Sequence, residues 1–336
     1  MTQPSSARSL LLPLTPLYRL ALALRELRLA SGLEPTRRLR FPVVSIGSLS
    51  AGGSGKTPLT IALAQALTRR GLQVDVLSRG YGRKSQTALR VDPNGAANDF
   101  GDEPLLIARE ANVPVFVAAQ RYRAGLMAEA AAPDSAEAKL HLLDDGFQHR
   151  QLHRDINILL LDNRDLHDHL LPAGNLREPL RAMHRATIIA IPANDAELES
   201  RLKTSGWQGA FWHVRRRMEV PQIDGPVVAF CGIARSDQFF AGLEAAGLHL
   251  ASRIAFADHH DYKTHDLDCI NDAARSTGAK TIVTTEKDQV RLGKLTASFP
   301  ASLQIRTAQL RIEIEDESAV VDSLINQLKS LPTRNA

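Results

Sequence analysis

At 336 residues the chain can bury one large core or two medium ones, and its 44% hydrophobic and 23% charged residues exclude a disordered chain. Aromatic residues make up only 5%, which speaks against a base-stacking nucleic-acid surface, and Cys231 and Cys269 stand far apart without metal-ligand spacing, which excludes a disulfide framework and fits a reducing compartment. The net charge of +4 is uneven: residues 1–40 hold seven Arg and two Glu, so the remaining 296 residues together carry −1.

The chain opens on a leucine-rich segment. Leu10 to Leu24 holds eight Leu and one charge, Arg19, and Pro13 and Pro16 interrupt its first part. It is shorter than the roughly 20 apolar residues a membrane span needs, and no small-residue cleavage site marks a secretory signal. From Leu17 onward Leu and Ala alternate with Arg at helical spacing, the pattern of an amphipathic helix in the interface of an anionic membrane. A helix packed on the protein with a solvated basic face is the plainer alternative.

Residues 41–47 predict a buried strand, and Pro58 to Arg70 a helix. Between them runs Ser50-Ala-Gly-Gly-Ser-Gly-Lys-Thr57. A strand, a glycine-rich turn and a helix opened by Lys-Thr cradle phosphate, because main-chain N–H groups converge and the helix N-terminus adds positive potential. In this reading Gly52, Gly53, Ser54 and Gly55 supply the main chain, Lys56 reaches the β- and γ-phosphates, and the Thr57 hydroxyl sits on Mg²⁺. Pro58 falls in the first helical turn, where a missing N–H costs little. Ser50 stands where the usual pattern has Gly, and a glycine-rich turn before an ordinary helix is the bland alternative.

Downstream, strands are expected at 72–77, 88–91, 113–117, 140–143, 156–161 and 186–191, with helices at 103–111 and 121–132 and a surface linker at 133–138. This alternation predicts a parallel sheet with helices on both faces, binding ligands at the carboxyl ends of its strands. A strand carrying Arg215, Arg216 and Arg217 follows, then Pro221, Gly225 and Pro226. A second alternation runs through strands at 227–230, 250–256, 280–284 and 303–306 and helices at 236–246, 266–277 and up to about 331. The expected organisation is an N-terminal membrane-interface helix (1–35), a P-loop domain (36–210), a linker strand region (211–222) and a smaller C-terminal α/β domain (223–336).

The acidic and basic loops carry the chemistry. Asp144 and Asp145 end a hydrophobic strand, the position from which a carboxylate holds Mg²⁺ beside a phosphate loop; Asp144 is the first choice and Asp145 the second. Asp102 and Glu103 stand at a loop-to-helix junction, where a helix cap and a general base are equally open readings. His259 and His260 lie between Asp258 and Asp261, a plausible source of an acid–base partner. Arg177 can stabilise charge on a transferring phosphoryl group, or be a surface Arg before a helix started by Pro179. The 285–288 Thr-Glu-Lys-Asp run is read as capping and charge pairing ahead of purine recognition.

Taken together, Gly52-Gly-Ser-Gly-Lys-Thr-Pro58, Ser78-Arg-Gly-Tyr-Gly82, Gly101-Asp-Glu-Pro104, Leu143-Asp-Asp-Gly-Phe-Gln-His149, Leu171-Pro-Ala-Gly174, Leu176-Arg-Glu-Pro179, Asp258-His-His260 and Thr285-Glu-Lys-Asp288 resemble the tetraacyldisaccharide 4'-kinases of Gram-negative bacteria. The matches run in the family's order from about residue 10 to 330. The resemblance implies transfer of the ATP γ-phosphate to the 4'-hydroxyl of a tetraacyldisaccharide 1-phosphate, giving lipid IVA, at the cytoplasmic face of the inner membrane. It implies Asp102 as general base assisted by His259 rather than His260, Asp144, Asp145 and Glu178 around Mg²⁺, Arg177 on phosphate or substrate, and Gln148 and His149 at the lipid headgroup. Ser48 stands where the family usually has Asn, and Ser54 where it usually has Thr. The expected partners are the lipid and an anionic membrane surface, with no nucleic acid and no obligate protein partner. The alternative is a P-loop nucleotide switch for targeting, partition or metal loading; such proteins carry an extra Lys where this chain has Ala51.

Overall fold

The structure, a computed structural model, describes residues 8, 10–132 and 138–331. The expected 133–138 linker lies, save its last residue, outside them, as do 1–7 and residue 9 of the N-terminal segment. In chain order the elements that build the molecule are α1 (Thr15–Ala30), β1 (Val43–Ser48), α2 (Lys56–Arg69), β2 (Gln73–Ser78), β3 (Leu89–Arg90), α3 (Ala97–Phe100), α4 (Asp102–Ala111), β4 (Val115–Val117), α5 (Arg121–Ala130), β5 (Lys139–Asp144), β6 (Ile156–Leu160), β7 (Ile188–Pro192), α6 (Ala196–Thr204) and β8 (Ala210–Glu219). They continue with β9 (Pro226–Cys231), α7 (Ser236–Ala245), β10 (His249–Ala255), α8 (Thr264–Thr277), β11 (Thr281–Thr285), α9 (Glu286–Leu292), β12 (Gln304–Ile314) and α10 (Glu317–Lys329).

The twelve strands form one sheet in the order β10-β9-β11-β12-β8-β7-β6-β1-β5-β2-β4-β3. Strands β8, β7, β6, β1, β5, β2 and β4 are mutually parallel, as are β10, β9, β11 and β12. The two blocks meet in one antiparallel seam, β12 on β8, from Gln309↔Glu219 to Ile314↔Val214. Each seam strand serves both blocks: β8 pairs β7 through residues 210–214 before it reaches the seam, and β12 pairs β11 through residues 304–308. The carboxyl ends of the two blocks thereby face each other across a cleft.

Side-chain alternation along the buried strands sends successive residues to opposite faces. Val44 and Ile46 pack with Leu59, Leu63 and Leu105 under α2 and α4. Val43 packs with Leu77, Phe116 and Ala124 under α5, and Leu159 and Ile189 with Leu198 and Leu202 of α6. In the second block Phe230 and Ile282 face α8, while Val227 and Ala229 face Phe239 and Leu243 of α7.

Three features depart from the sequence reading. Strand β12 extends to Ile314 because Leu310, Ile312 and Ile314 alternate with charged residues, a period-2 run not recognised beyond 306. Helices α3, α6 and α9 had no predicted counterpart. Helix α10, assigned above to the 223–336 domain, packs on the first block: Val321 and Leu324 join the core under α2, and Arg70 pairs with Asp322 at 2.8 Å.

Candidate active site

The phosphate loop is the turn from β1 into α2. Gly53 and Gly55 take φ of +58° and +92°, the left-handed region that glycine adopts without a Cβ penalty, and a Cβ on Gly53 would lie 2.5 Å from the Arg235 side chain. Two cations of the second block and the seam hold this loop: Arg216 donates to the Ser54 carbonyl, and Arg235 bonds Asp162 at 3.1 Å beside it. Lys56 Nζ donates to Ser54 Oγ (3.0 Å) and Ser48 Oγ (3.2 Å) and lies 3.7 Å from Asp145. The two positions at which the chain departs from the family pattern are therefore the hydroxyls that hold the lysine. Burial depresses the Lys56 pKa, and Asp145 opposes that shift.

Asp144 and Asp145 end β5 with opposite fates. Asp144 Oδ1 accepts the Thr60 hydroxyl at 3.1 Å, while Oδ2 is buried with no partner among the described residues. Burial, with Glu103 and Asp145 nearby, pushes the Asp144 pKa up to about 7. Asp145, in a left-handed conformation, receives both Arg177 Nη atoms at 2.7 and 2.8 Å. Burial alone would raise its pKa; Lys56 and Arg177 outweigh that and hold it far below the ordinary carboxylate range.

Glu178 does not join them. It is buried against Arg185, and Gln148 Nε2 reaches it at 3.3 Å. Among the described residues no three His, Cys, Asp or Glu converge as a metal cluster. Of Asp144, Asp145 and Glu178, Asp144 alone keeps a buried carboxylate oxygen without a partner among the described residues, while Asp145 and Glu178 are each paired with an arginine. Gln148 also donates to the Ser48 carbonyl at 3.0 Å and accepts Arg25 from α1. His149 lines the cleft with its pKa lowered to about 3, by burial and by Arg121, Arg154, Arg25 and Arg79.

On the first block Asp102 opens α4, and it meets His259 and Arg291 of the second block. Its Oδ1 accepts the Glu103 N–H at 2.9 Å; its Oδ2 accepts Arg291 Nε at 2.8 Å and a second Arg291 N–H, and lies 3.2 Å from His259 Nδ1. Burial opposes ionisation here, yet His259, Arg291 and Lys287 together hold the Asp102 pKa far below normal. The hydrogen bond to Asp102 raises the His259 pKa against burial. His260 points away: it stacks on Phe256 at 4.6 Å and bonds Asp266 at 3.0 Å. In the 285–288 run Thr285 caps α9 by accepting the Asp288 N–H at 3.1 Å, and Lys287 pairs with Glu103. Arg291 and Arg235 lie outside any motif and Arg216 was read only as part of a charged strand; the folded chain alone brings the three to the loops.

Lys56, Asp144, Asp145, His149, Arg177, His259 and Lys287 line one cleft of about 1190 Å³, and Asp102 lies behind His259, 3.2 Å from its Nδ1. The phosphate loop and Asp144 form one wall, Asp258, His259 and Lys287 the other, and Tyr18, Leu22 and Arg25 of α1 one end. The Tyr18 hydroxyl donates to the Arg177 carbonyl at 2.9 Å, which fixes α1 to the site. Such a cleft can hold an anionic ligand on the loop, a divalent ion at Asp144, and a hydroxyl beside Asp102 and His259.

Comparison with known proteins agrees with this geometry. A family model for tetraacyldisaccharide-1-P 4'-kinase, LpxK, matches residues 7–329. The tetraacyldisaccharide 4'-kinase of Koribacter versatilis is 39% identical over 323 residues, covering 93% of this chain and 97% of the relative. The protein of the same name from Aquifex aeolicus is 34% identical over 319 residues, 89% of this chain and 94% of its own. The crystal structure of "apo" form LpxK from Aquifex aeolicus in complex with ATP superposes with a TM-score of 0.72 at 30% identity, covering 96% of this chain and 99% of that one.

Proposed function

The chain belongs to the tetraacyldisaccharide-1-P 4'-kinase family, and from that premise we propose that it transfers the γ-phosphate of ATP to the 4'-hydroxyl of a tetraacyldisaccharide 1-phosphate, the step that forms lipid IVA. The observation that carries the reading is the pairing across one cleft of a phosphate loop with a buried lysine and, opposite it, an imidazole held 3.2 Å from a buried carboxylate.

The loop amides and Lys56 bind the β- and γ-phosphates. The acceptor hydroxyl gives its proton to the Asp102–His259 pair, and its oxygen forms the new bond to phosphorus. The bond from phosphorus to the β–γ bridging oxygen breaks, and ADP leaves with that electron pair. Arg177, fixed by Asp145 at the end of the loop, faces the charge that spreads over the transferring group. A divalent ion fits Asp144: a buried, unpartnered carboxylate oxygen with a pKa near 7 lacks a cation. Asp144 and Thr57 are the residues we assign to hold it, and Mg²⁺ there supplies neutralisation of the phosphate oxygens.

Membrane contact is part of the same proposal. Leu17, Leu20, Leu24 and Leu27 recur at helical spacing on α1 and are each between 50% and 67% exposed, while Tyr18 and Leu22 face the site. An outward leucine stripe beside a cleft rich in arginine suits a substrate whose acyl chains stay in the bilayer while its sugar enters the protein. The face involved is the cytoplasmic one of the inner membrane, where ATP is available. No helix among the described residues is long and apolar enough to cross a membrane. The two parallel blocks support a division near 211–222, with closure over the nucleotide excluding water.

The decisive experiment incubates the protein with labelled ATP and lipid A disaccharide 1-phosphate in detergent. A bisphosphorylated lipid is the expected product; ATP binding without lipid labelling would refute the reading.

A further inference from the structure

Arg291 belongs to no recognised motif, yet it is the most highly connected side chain at the acid–base pair. Its side chain is 7% exposed. Nε and Nη2 both donate to Asp102 Oδ2, Nη1 donates to Asp288 Oδ1 (3.0 Å) and to the Gly232 carbonyl, and Nη2 lies 3.3 Å from His259 Nδ1. Asp288 is in turn immobilised: fully buried, it accepts the Gly232 N–H at 3.1 Å, the Tyr262 hydroxyl at 3.0 Å and the Thr285 hydroxyl at 2.6 Å. A chain of fixed charges therefore runs from β11 and α9 across the cleft to the first residue of α4.

We propose that Arg291 is a positioning residue for phosphoryl transfer: it orients Asp102 and keeps His259 in the form that receives the acceptor's proton. The inference rests on the kinase reading above. Asp102 Oδ2 takes two Arg291 N–H groups and faces His259 Nδ1, while Oδ1 holds only the Glu103 N–H. His259 Nδ1 stands between a donor and an acceptor, 3.3 Å from Arg291 and 3.2 Å from Asp102. Carrying the proton of the neutral imidazole, Nδ1 donates to Asp102 Oδ2, which leaves the lone pair of the other ring nitrogen to take a proton. The guanidinium cannot lose its proton, so it disfavours a second cation at His259 and holds Asp102 ionised. The proton that leaves the hydroxyl, breaking O–H, comes to rest on the imidazole, forming N–H. The other charges facing the pair are Glu103 on α4, Lys287 on α9, Asp258 on the loop after β10, and Asp288 behind Arg291.

The test measures kcat and KM for both substrates from pH 5 to 10 in wild type, Arg291→Gln and Arg291→Lys. In Arg291→Gln, removing the cation raises the pKa of both members of the pair, so the acid limb of the kcat/KM profile is expected to move about one unit toward alkaline pH. Its kcat is expected to fall about 30-fold, with KM for ATP and lipid within about twofold. Arg291→Lys keeps the charge and loses the fork: its limb stays at the wild-type pH and its kcat recovers in part. A wild-type limb in Arg291→Gln, or loss of activity that appears as KM alone, overturns the inference. Should Arg291→Gln not fold, Arg291→Lys decides: wild-type kcat in that variant overturns it, and a fall of about tenfold at unchanged KM supports it. Absence of lipid phosphorylation by the wild-type protein would instead refute the kinase reading itself.

Discussion

Asp144 is where the charges of the site are least balanced. Its Oδ2 is buried without a partner and two carboxylates lie close, so the folded protein resists its ionisation and its pKa rises to about 7. The sign of the linkage follows. Between the unfolded value near 3.8 and about 7 the folded state binds the extra proton, so this group makes stability fall as pH rises through that window and level off above it. Asp144→Asn removes the penalty. The metal-free variant is expected to melt at a higher temperature than wild type at pH 8 and at nearly the same temperature at pH 4, and added Mg²⁺ should stabilise only the wild type. Its kcat should nevertheless fall about 10²–10³-fold, because charge neutralisation by the ion is worth several kcal/mol in the transition state. Thermal unfolding with and without Mg²⁺ at the two pH values, beside a lipid kinase assay, checks both halves. A variant that keeps full turnover would remove Asp144 from the metal role.

Helix α1 is an element whose two faces have different tasks. Tyr18, Arg25 and Glu26 tie it to Arg177, Gln148 and Arg150, and Leu22 packs on the core under β6 and β7. The leucines at 17, 20, 24 and 27 do none of this. Replacing Leu17 and Leu24 by Ser should therefore leave folding intact and weaken binding to anionic liposomes about 10²-fold, at roughly 1.5 kcal/mol per leucine withdrawn from the bilayer. Co-sedimentation would show it; unchanged binding would leave the stripe without a membrane role. The helix itself was legible because its Leu–Arg spacing is local, as was the phosphate loop, whose strand, turn and helix are contiguous. The surroundings of Glu178 were not legible because adjacency in sequence says nothing about direction: Arg177 turns to Asp145 and the next residue to Arg185. Arg291 was missed because its meaning lies 189 residues away at Asp102. Strand β12 was cut short because alternation identifies a strand without naming its partner, and its second half exists to pair β8.

At the scale of the molecule, the antiparallel seam lets two parallel blocks turn their carboxyl ends toward one cleft, and α10 returns to the first block to brace it. Chemistry is concentrated at that end of the strands, which leaves the opposite end free to serve stability alone. There His141 of β5 is fully buried between Asp75 of β2, bonded to Nδ1, and Glu129 of α5, 3.5 Å from Nε2, while Lys139 pairs with Asp75 at 3.0 Å. Burial lowers the His141 pKa, but the two carboxylates outweigh it and raise it above 6.5. Burial raises the Glu129 pKa, and His141 with the Phe41 N–H outweighs that and lowers it below 4.5. A raised histidine contributes stability that is complete below its unfolded pKa and is lost as pH rises through the folded one; a lowered carboxyl contributes stability that is complete above its unfolded pKa and is lost as pH falls through the folded one. The cluster is thus worth most between about 4.5 and 6.5. Replacing His141 by Gln removes both arms. The wild-type minus variant difference in unfolding free energy, measured by urea titration at several pH values, should peak in that window and decline on either side. Subtraction cancels the separate pH dependence of Asp144, which both proteins share. Since the cluster lies at the far end of the sheet, kcat at pH 7.5 should stay within about twofold of wild type. A flat difference curve would mean that His141 is neutral in the fold and the ion-paired reading of this buried cluster is wrong.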